Sequence, residues 1–196
     1  VSDLVKCFDD FDFSILDKVS SSIAGAYFSG KNVFVLAPHG GSLGFCAEHI
    51  AHNLNWDAAY KVDNAPSRNV FSTPTRCDFS GITNDRLIKG VMSLQTLQRA
   101  QKDDVLVLFY DKNSTAVERV LKFAKGKGMH VYCVDNSFNV LGDVFVDFVQ
   151  IIGHMCGRLV RLKLKQGLGQ EVGEDIYDYL VSEDLAQRRL LTKDGL

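Results

Sequence analysis

Short apolar runs alternate along the chain with longer segments whose apolar residues recur every three or four positions. The runs rich in β-branched and aromatic residues predict buried strands, at 33–37, 70–72, 104–110, 130–134 and 143–149. The segments with helical spacing lie at 13–29, 42–55, 86–101, 114–125 and 150–166, and a further polar helix is expected at the C-terminus. Strands that alternate with helices in this way are typical of a parallel sheet covered on both faces.

The pattern therefore predicts an α/β fold with a doubly wound, five-stranded parallel sheet, a flavodoxin-like three-layer sandwich. We expect the whole chain, 1–196, to form one domain. Its N-terminal helix is expected at about 13–29, its core at about 30–168 and a helical tail at about 169–196.

Ligands of such sheets bind beyond the carboxyl ends of the strands, where the strand order reverses. Two polar loops leave from there, APHGGS after the first strand and YDKNS after the third. Gly40 and Gly41 would let the backbone turn tightly and approach a ligand. Ser42 would begin a helix whose positive end favours an anion. Taken alone, a glycine pair here is more often a simple turn between a strand and a helix.

Composition and charge limit the class of protein. The formal net charge of -2 gives no electrostatic reason to expect binding to nucleic acid or to an anionic membrane. No apolar run reaches the ~18 residues that cross a membrane, and the acidic N-terminal stretch does not resemble a secretory signal. The cysteines are odd in number and include no CxxC motif, and Cys46, Cys133 and Cys156 lie inside apolar stretches. This predicts buried free thiols in a reducing cytoplasm. The cysteines are Cys7, Cys46, Cys77, Cys133 and Cys156.

Several motifs follow one another in an order and spacing found together in one family. PHGGS after the first strand precedes a helix with the run HIAHNL, and ITND follows at 82–85. The segment DVLVLFYDKNSTAVERVLKFAKGKGMHVYCV comes next, at 104–134. Over roughly 13–165 the chain resembles the SIS (sugar isomerase) family, of the phosphoheptose isomerase and DnaA initiator-associating protein type. The resemblance implies a cytoplasmic homodimer or homotetramer that binds a phosphorylated sugar, with the first and last helices as contact surfaces.

The resemblance also implies a set of substrate-binding residues. They are Gly40, Gly41, Ser42, Asn84, Asp85, Lys112, Asn113, Ser114 and Gln150. One departure concerns the loop after the third strand, where Asp111 places a carboxylate at the position of the phosphate. Like charges at close range cost on the order of a kcal/mol or more, and Lys112 could offset that repulsion.

The catalytic helix of this family pairs a histidine with a glutamate four residues on, so that both face the same way. An alignment on the apolar pattern places His49 and Asn53 there, and an asparagine cannot act as a base. An alignment from the glycines without a gap places Glu48 and His52 there, the same pair in swapped order. The family's second histidine lies eight residues after a glutamine, where this chain has Arg158.

Glu48, His49 and His52 are thus the catalytic candidates, and neither alignment is excluded. Zinc is conceivable on this helix, but only Glu48 and His52 can point the same way, and a solvated helix face is favoured. No metal or cofactor is therefore predicted. His154 is expected to be a packed helix residue rather than a ligand.

Three functions follow from these residues. The first is a phosphosugar-binding SIS-domain protein whose catalytic set is altered or lost. The second is an active aldose–ketose isomerase of the phosphoheptose isomerase type that uses Glu48 and His52. The third is a non-enzymatic oligomeric adaptor that binds a protein partner. Fold likeness alone does not decide between them.

Overall fold

The computed structural model describes residues 2–38, 40–56, 62–66, 69–72, 93–111 and 115–172. In chain order its elements are α1 (Ser2–Asp10), α2 (Ser14–Phe28), β1 (Asn32–Leu36), α3 (Gly41–Asn55), β2 (Asn69–Ser72), β3 (Val105–Tyr110), α4 (Thr115–Gly126), β4 (His130–Asp135) and α5 (Gly142–Gly167). Residues 93–97 are also helical. The first four predicted strands and the predicted helices at 13–29, 42–55 and 114–125 are therefore confirmed.

The four strands form one parallel sheet in the order β2-β1-β3-β4. Val33 of β1 lies opposite Val70 of β2 on one side and Val105 of β3 on the other. The chain thus moves outward from β1 to β2 and then returns past β1 to β3. The strand order reverses between β1 and β3, and the carboxyl ends of these two strands define the crevice where such sheets bind ligands.

The two faces of the sheet carry separate apolar cores. Val33 and Val35 point into a core shared with α1, α2, α3 and α5. Phe34 and Leu36 point into a second core with α4 and the helical residues 93–97. Successive side chains of a strand face opposite sides of the sheet, so a strand covered on both faces is apolar throughout. The predicted doubly wound, three-layer architecture is confirmed.

The prediction of a fifth strand at 143–149 is wrong, because these residues form the first two turns of α5. The sequence DVFVDFV alternates like a strand, but burial follows helical spacing. Phe145, Phe148 and Val149 are buried, whereas Asp143 and Asp147 are exposed. Within the described residues the sheet therefore has four strands, and α5 covers one face of it as a helix of 26 residues.

Helix α1 was not among the predicted helices. Its apolar side packs on the first core, with Cys7 fully buried and Leu4 and Phe8 partly buried. The ring of Phe8 meets the ring of Phe148 edge-on at 5.2 Å between centroids. None of the helices in the described part of the chain has the length and apolar character that a membrane span requires.

Candidate functional site

A glycine turn forms the carboxyl end of β1. Gly40 and Gly41 have φ angles of 62° and 61°, and Gly40 combines its φ with a ψ of -140°, a conformation open essentially to glycine alone. The Gly40 N–H donates to the Ala37 carbonyl at 2.9 Å, which closes the turn. Helix α3 begins at Gly41, and Ser42 lies exposed in its first turn. The backbone therefore changes direction sharply at the edge of the crevice.

The end of β3 forms the other side of the crevice. The Asp111 carboxylate accepts a hydrogen bond from the Asn136 amide at 2.6 Å. Asn136 also donates to the Val140 carbonyl at 2.9 Å, so it connects Asp111 to the loop that enters α5. Burial, together with hydrogen bonds to Cys133 and Asp135, raises the pKa of Tyr110 to about 12. Its phenol therefore stays protonated at neutral pH.

Five of the predicted binding residues lie outside the described residues. They are Asn84, Asp85, Lys112, Asn113 and Ser114. Gln150 lies exposed on α5, one helical turn before His154. Of the predicted set, the structure therefore places the glycine turn and Ser42 at the crevice and Gln150 on the long helix.

Helices α3 and α5 pack closely, and both start from the carboxyl edge of the sheet. A Cβ atom on Gly153 would lie 2.4 Å from the Ile50 side chain, far inside van der Waals contact. The Cys46 thiol, one turn before Ile50, lies 3.8 Å from the Val146 carbonyl, two turns before Gly153. Because glycine at position 153 has no Cβ atom, the Ile50 side chain of α3 packs directly against the backbone of α5.

This close packing brings two histidines and an asparagine together. The Nε2 atoms of His49 and His154 lie 3.3 Å apart, and the ring centroids are 5.1 Å apart at 73°. The Asn53 amide nitrogen lies 3.1 Å from His154 Nδ1. Asn53 is buried, whereas both histidines are exposed. The three side chains form a hydrogen-bonded cluster that is open to solvent across the seam between the helices.

His49 and Asn53, the pair given by the alignment on the apolar pattern, are the two residues of α3 that contact His154 in this cluster. Glu48 and His52, the pair of the other alignment, lie on the exposed side of α3. The His52 ring is tilted against Trp56, with 6.1 Å between centroids. His154 was expected to be only a packed helix residue, but it is exposed and bonded to two side chains of α3. No sequence signal places it there, because its position depends on how two helices pack.

The described residues contain no group of three or more histidine, cysteine, aspartate or glutamate side chains that could hold a metal ion. The four described cysteines are free. Cys46 and Cys156 are buried as predicted, and Cys7 is buried as well. The prediction of burial is wrong for Cys133, which is exposed on strand β4. Burial raises the pKa of the Cys156 thiol to about 12, so this thiol stays protonated at neutral pH and is not a nucleophile.

Taken together, these features define a doubly wound α/β domain with a glycine turn at its switch point. Among solved structures, the chain is similar to a phosphoheptose isomerase from Francisella tularensis, with a TM-score of 0.64 over 82% of this chain and 93% of that chain. The sequence identity is 12%, so the likeness is one of fold. No protein-family model matches the chain, and no curated protein is similar to it in sequence.

Proposed function

We propose that the chain is a phosphosugar-binding protein of the SIS type, related to phosphoheptose isomerases, with an altered catalytic set. The observation that carries this proposal is the glycine turn at the carboxyl end of β1. Gly40 and Gly41 occupy left-handed conformations there, beside the end of β3 at the switch point. The similarity of the fold to that of a phosphoheptose isomerase supports a phosphosugar as the class of ligand.

A phosphate group suits this turn for electrostatic reasons. The first N–H groups of a helix have no partner within the helix, and its dipole places positive charge at that end. Helix α3 begins directly at the turn, with the Ser42 hydroxyl in its first turn. Asp111 is drawn toward Asn136 in the loop after β4, which gives its carboxylate a partner other than a ligand.

The altered catalytic set follows from Asn53. If the aligned pair is His49 and Asn53, an amide stands where the resemblance implies a carboxylate base. An amide cannot accept a proton at neutral pH, so proton transfer between adjacent sugar carbons needs another group. The alternative of an active isomerase rests on Glu48 and His52, and isomerase turnover lost in both Glu48→Gln and His52→Ala would favour it.

Thermal unfolding with sedoheptulose 7-phosphate tests the proposal. A ligand that binds only the folded state stabilises it by about 2.7 kcal/mol at 100 times its Kd, which for a chain of this size raises the Tm by roughly 5–10 °C. We expect a saturable rise that is reduced in a Ser42→Ala, Ser114→Ala double variant. Ser21→Ala, an exposed serine on α2, is the matched control and should keep the full rise.

No shift at millimolar sedoheptulose 7-phosphate, fructose 6-phosphate or inorganic phosphate would contradict the proposal. The adaptor function would then be favoured, and pull-down with the wild-type chain would be the next experiment. A rise in Tm with inorganic phosphate but with neither sugar phosphate would support the anion site and contradict the binding of a phosphosugar.

We also propose that the chain forms a homodimer or homotetramer. Large apolar side chains on or next to the described helices remain exposed, among them Phe45 on α3, Trp56 directly after α3 and Ile151 on α5. Phe45 lies one helical turn before His49, and Ile151 lies three residues before His154. Exposed apolar side chains that lie near one another commonly mark an interaction surface. Light scattering after size exclusion should give a mass of two or four chains, and Phe45→Ser should reduce it. A monomer at micromolar concentration would contradict this proposal.

A further inference from the structure

We propose that Asn53 and His154 are positioning residues that hold His49 in the tautomer with its proton on Nδ1, so that His49 offers an N–H donor to a sugar oxygen. The inference rests on the proposed function for its ligand, whereas the tautomers themselves follow from contacts between three side chains. The assignment of the tautomers depends on which atom donates each hydrogen bond.

The direction is set at the buried end of the cluster. The structure places the Asn53 amide nitrogen, which only donates, 3.1 Å from His154 Nδ1. His154 Nδ1 therefore accepts, and a neutral imidazole that accepts at one nitrogen carries its proton on the other. The proton of His154 is thus on Nε2.

The same logic continues to the second ring. His154 Nε2 carries a proton and lies 3.3 Å from His49 Nε2, which must accept. His49 then carries its own proton on Nδ1. The chain of donation runs from Asn53 to His154 to His49, and it ends at an exposed ring.

The position of this ring suits a ligand held at the glycine turn. His49 lies eight residues after Gly41, which corresponds to about 12 Å along the helix axis. Side chains on a helix tilt toward its N-terminus, so the His49 side chain leans toward the turn. A phosphosugar anchored there by its phosphate extends along α3, and its hydroxyl or carbonyl oxygens are acceptors for an N–H group.

The first measurement is long-range ¹H–¹⁵N NMR of the histidine rings at pH 8, where an ordinary imidazole is neutral. The wild-type chain should show His154 protonated at Nε2 and His49 at Nδ1. A wild-type His49 protonated at Nε2 would overturn the assignment, and this result needs no variant.

Asn53→Asp reverses the donor at the buried end, because a carboxylate only accepts. His154 should then carry its proton on Nδ1 and His49 on Nε2, so both ring signatures exchange. Asn55→Asp makes the same exchange on the same helix and removes the hydrogen bond to the Val70 carbonyl instead. It controls for a general loss of stability and should leave both tautomers as in the wild type. Unchanged tautomers in Asn53→Asp would contradict the direction of the chain.

Gly153→Ala gives a second test that does not alter any hydrogen-bonding group. The added Cβ collides with Ile50 and moves α5 away from α3. Each ring should then sample both tautomers. Gly157→Ala on the same helix, whose Cβ meets nothing within 4 Å, should leave the tautomers fixed. Fixed tautomers in both variants would contradict the role of the contact between the rings.

Sedoheptulose 7-phosphate separates this inference from the proposed function. If it binds, the His49 Nδ1 resonance should shift on titration, and Asn53→Asp should weaken affinity about three- to tenfold. Binding that leaves His49 unchanged would overturn the ligand role while the proposed function stands. If no phosphosugar binds the wild type, the proposed function fails and the ligand role fails with it, and the tautomer measurement alone decides whether the positioning is correct.

Discussion

The two edges of the β-sheet use polar residues in opposite ways. At the amino edge, the fully buried Asp104 accepts hydrogen bonds from the Asn32 backbone at 2.9 Å, the Asn32 amide at 3.0 Å and the Gln101 backbone at 2.7 Å. These bonds join the start of β1 to the loop before β3. A buried carboxylate with three donors within the same chain serves the fold and leaves little for a ligand to do.

At the carboxyl edge, the backbone makes a sharp turn that lowers the stability of the fold. Gly40 and Gly41 hold left-handed conformations, and glycine loses more conformational freedom on folding than any other residue. Asp111 is only partly buried and takes its hydrogen bond from Asn136 in a neighbouring loop. An acidic residue next to a strand can therefore stabilise the fold or border a ligand site, depending on the edge of the sheet at which it lies.

The largest effect should come from the amino edge. Asp104→Ala leaves the two half-buried Asn32 donors and the Gln101 backbone N–H without their acceptor, and an unsatisfied buried group costs about 1–3 kcal/mol. We expect the free energy of unfolding to fall by about 3 kcal/mol or more, measured by urea denaturation. Asp9→Ala on the exposed side of α1 is the control and should stay within about 0.5 kcal/mol. A loss below about 1 kcal/mol for Asp104→Ala would remove the contrast between the edges.

The second effect tests the shape of the carboxyl edge. Gly40→Ala forces a side chain into a backbone conformation that costs about 1–3 kcal/mol, and it should also weaken phosphosugar binding. Gly25→Ala, in the last turn of α2 with open space around its Cβ, should instead stabilise the fold by about 0.5–1 kcal/mol. Equal stability changes in the two variants would show that the turn is not strained.

A smaller decrease in the free energy of unfolding is expected for Asn136→Ala. This change removes the partner of Asp111 and the bond to the Val140 carbonyl, and a net hydrogen bond contributes about 1 kcal/mol. Ser137→Ala, the exposed neighbouring residue, is the control. If Asp111 opposes an anion, Asn136→Ala should also weaken phosphate binding, measured by calorimetry. Unchanged stability would mean that this loop is held by other contacts.

The smallest effect returns to the amino edge. The Lys31 ammonium donates to the Lys102 carbonyl at 3.0 Å, but the bond is exposed to solvent. Lys31→Ala should change the free energy of unfolding by no more than about 0.5 kcal/mol. A loss as large as that of Asp104→Ala would mean that exposed and buried bonds contribute alike at this edge.

Much of the fold could be predicted from the sequence because its central strands are covered on both faces. Every residue of β3 is buried, so the strand appears as an unbroken apolar run. The segment 143–149 misled because Val144, Val146 and Phe148 alternate like a strand, while Phe145, Phe148 and Val149 have helical spacing. Packing of α1 and α2 against α5 decides between these patterns, and a local pattern does not contain that information.

The candidate site, like the fold, could be predicted from the sequence only in part. The spacing of His49 and Asn53 predicts that both lie on one side of a helix. The arrival of His154 could not be predicted, because it depends on contact between residues about a hundred positions apart. The sequence pattern also does not predict helix α1, because acidic residues interrupt its short apolar side and its burial depends on tertiary packing.

The missing side chain at position 153 also constrains how the chain can change over time. Ile50 fills the space that any larger residue at 153 would need. Substitutions at the two positions are therefore expected to be inherited together, with a smaller residue at 50 accompanying a larger one at 153. Sequences descended from a common ancestor should carry that correlation whether or not they keep either histidine.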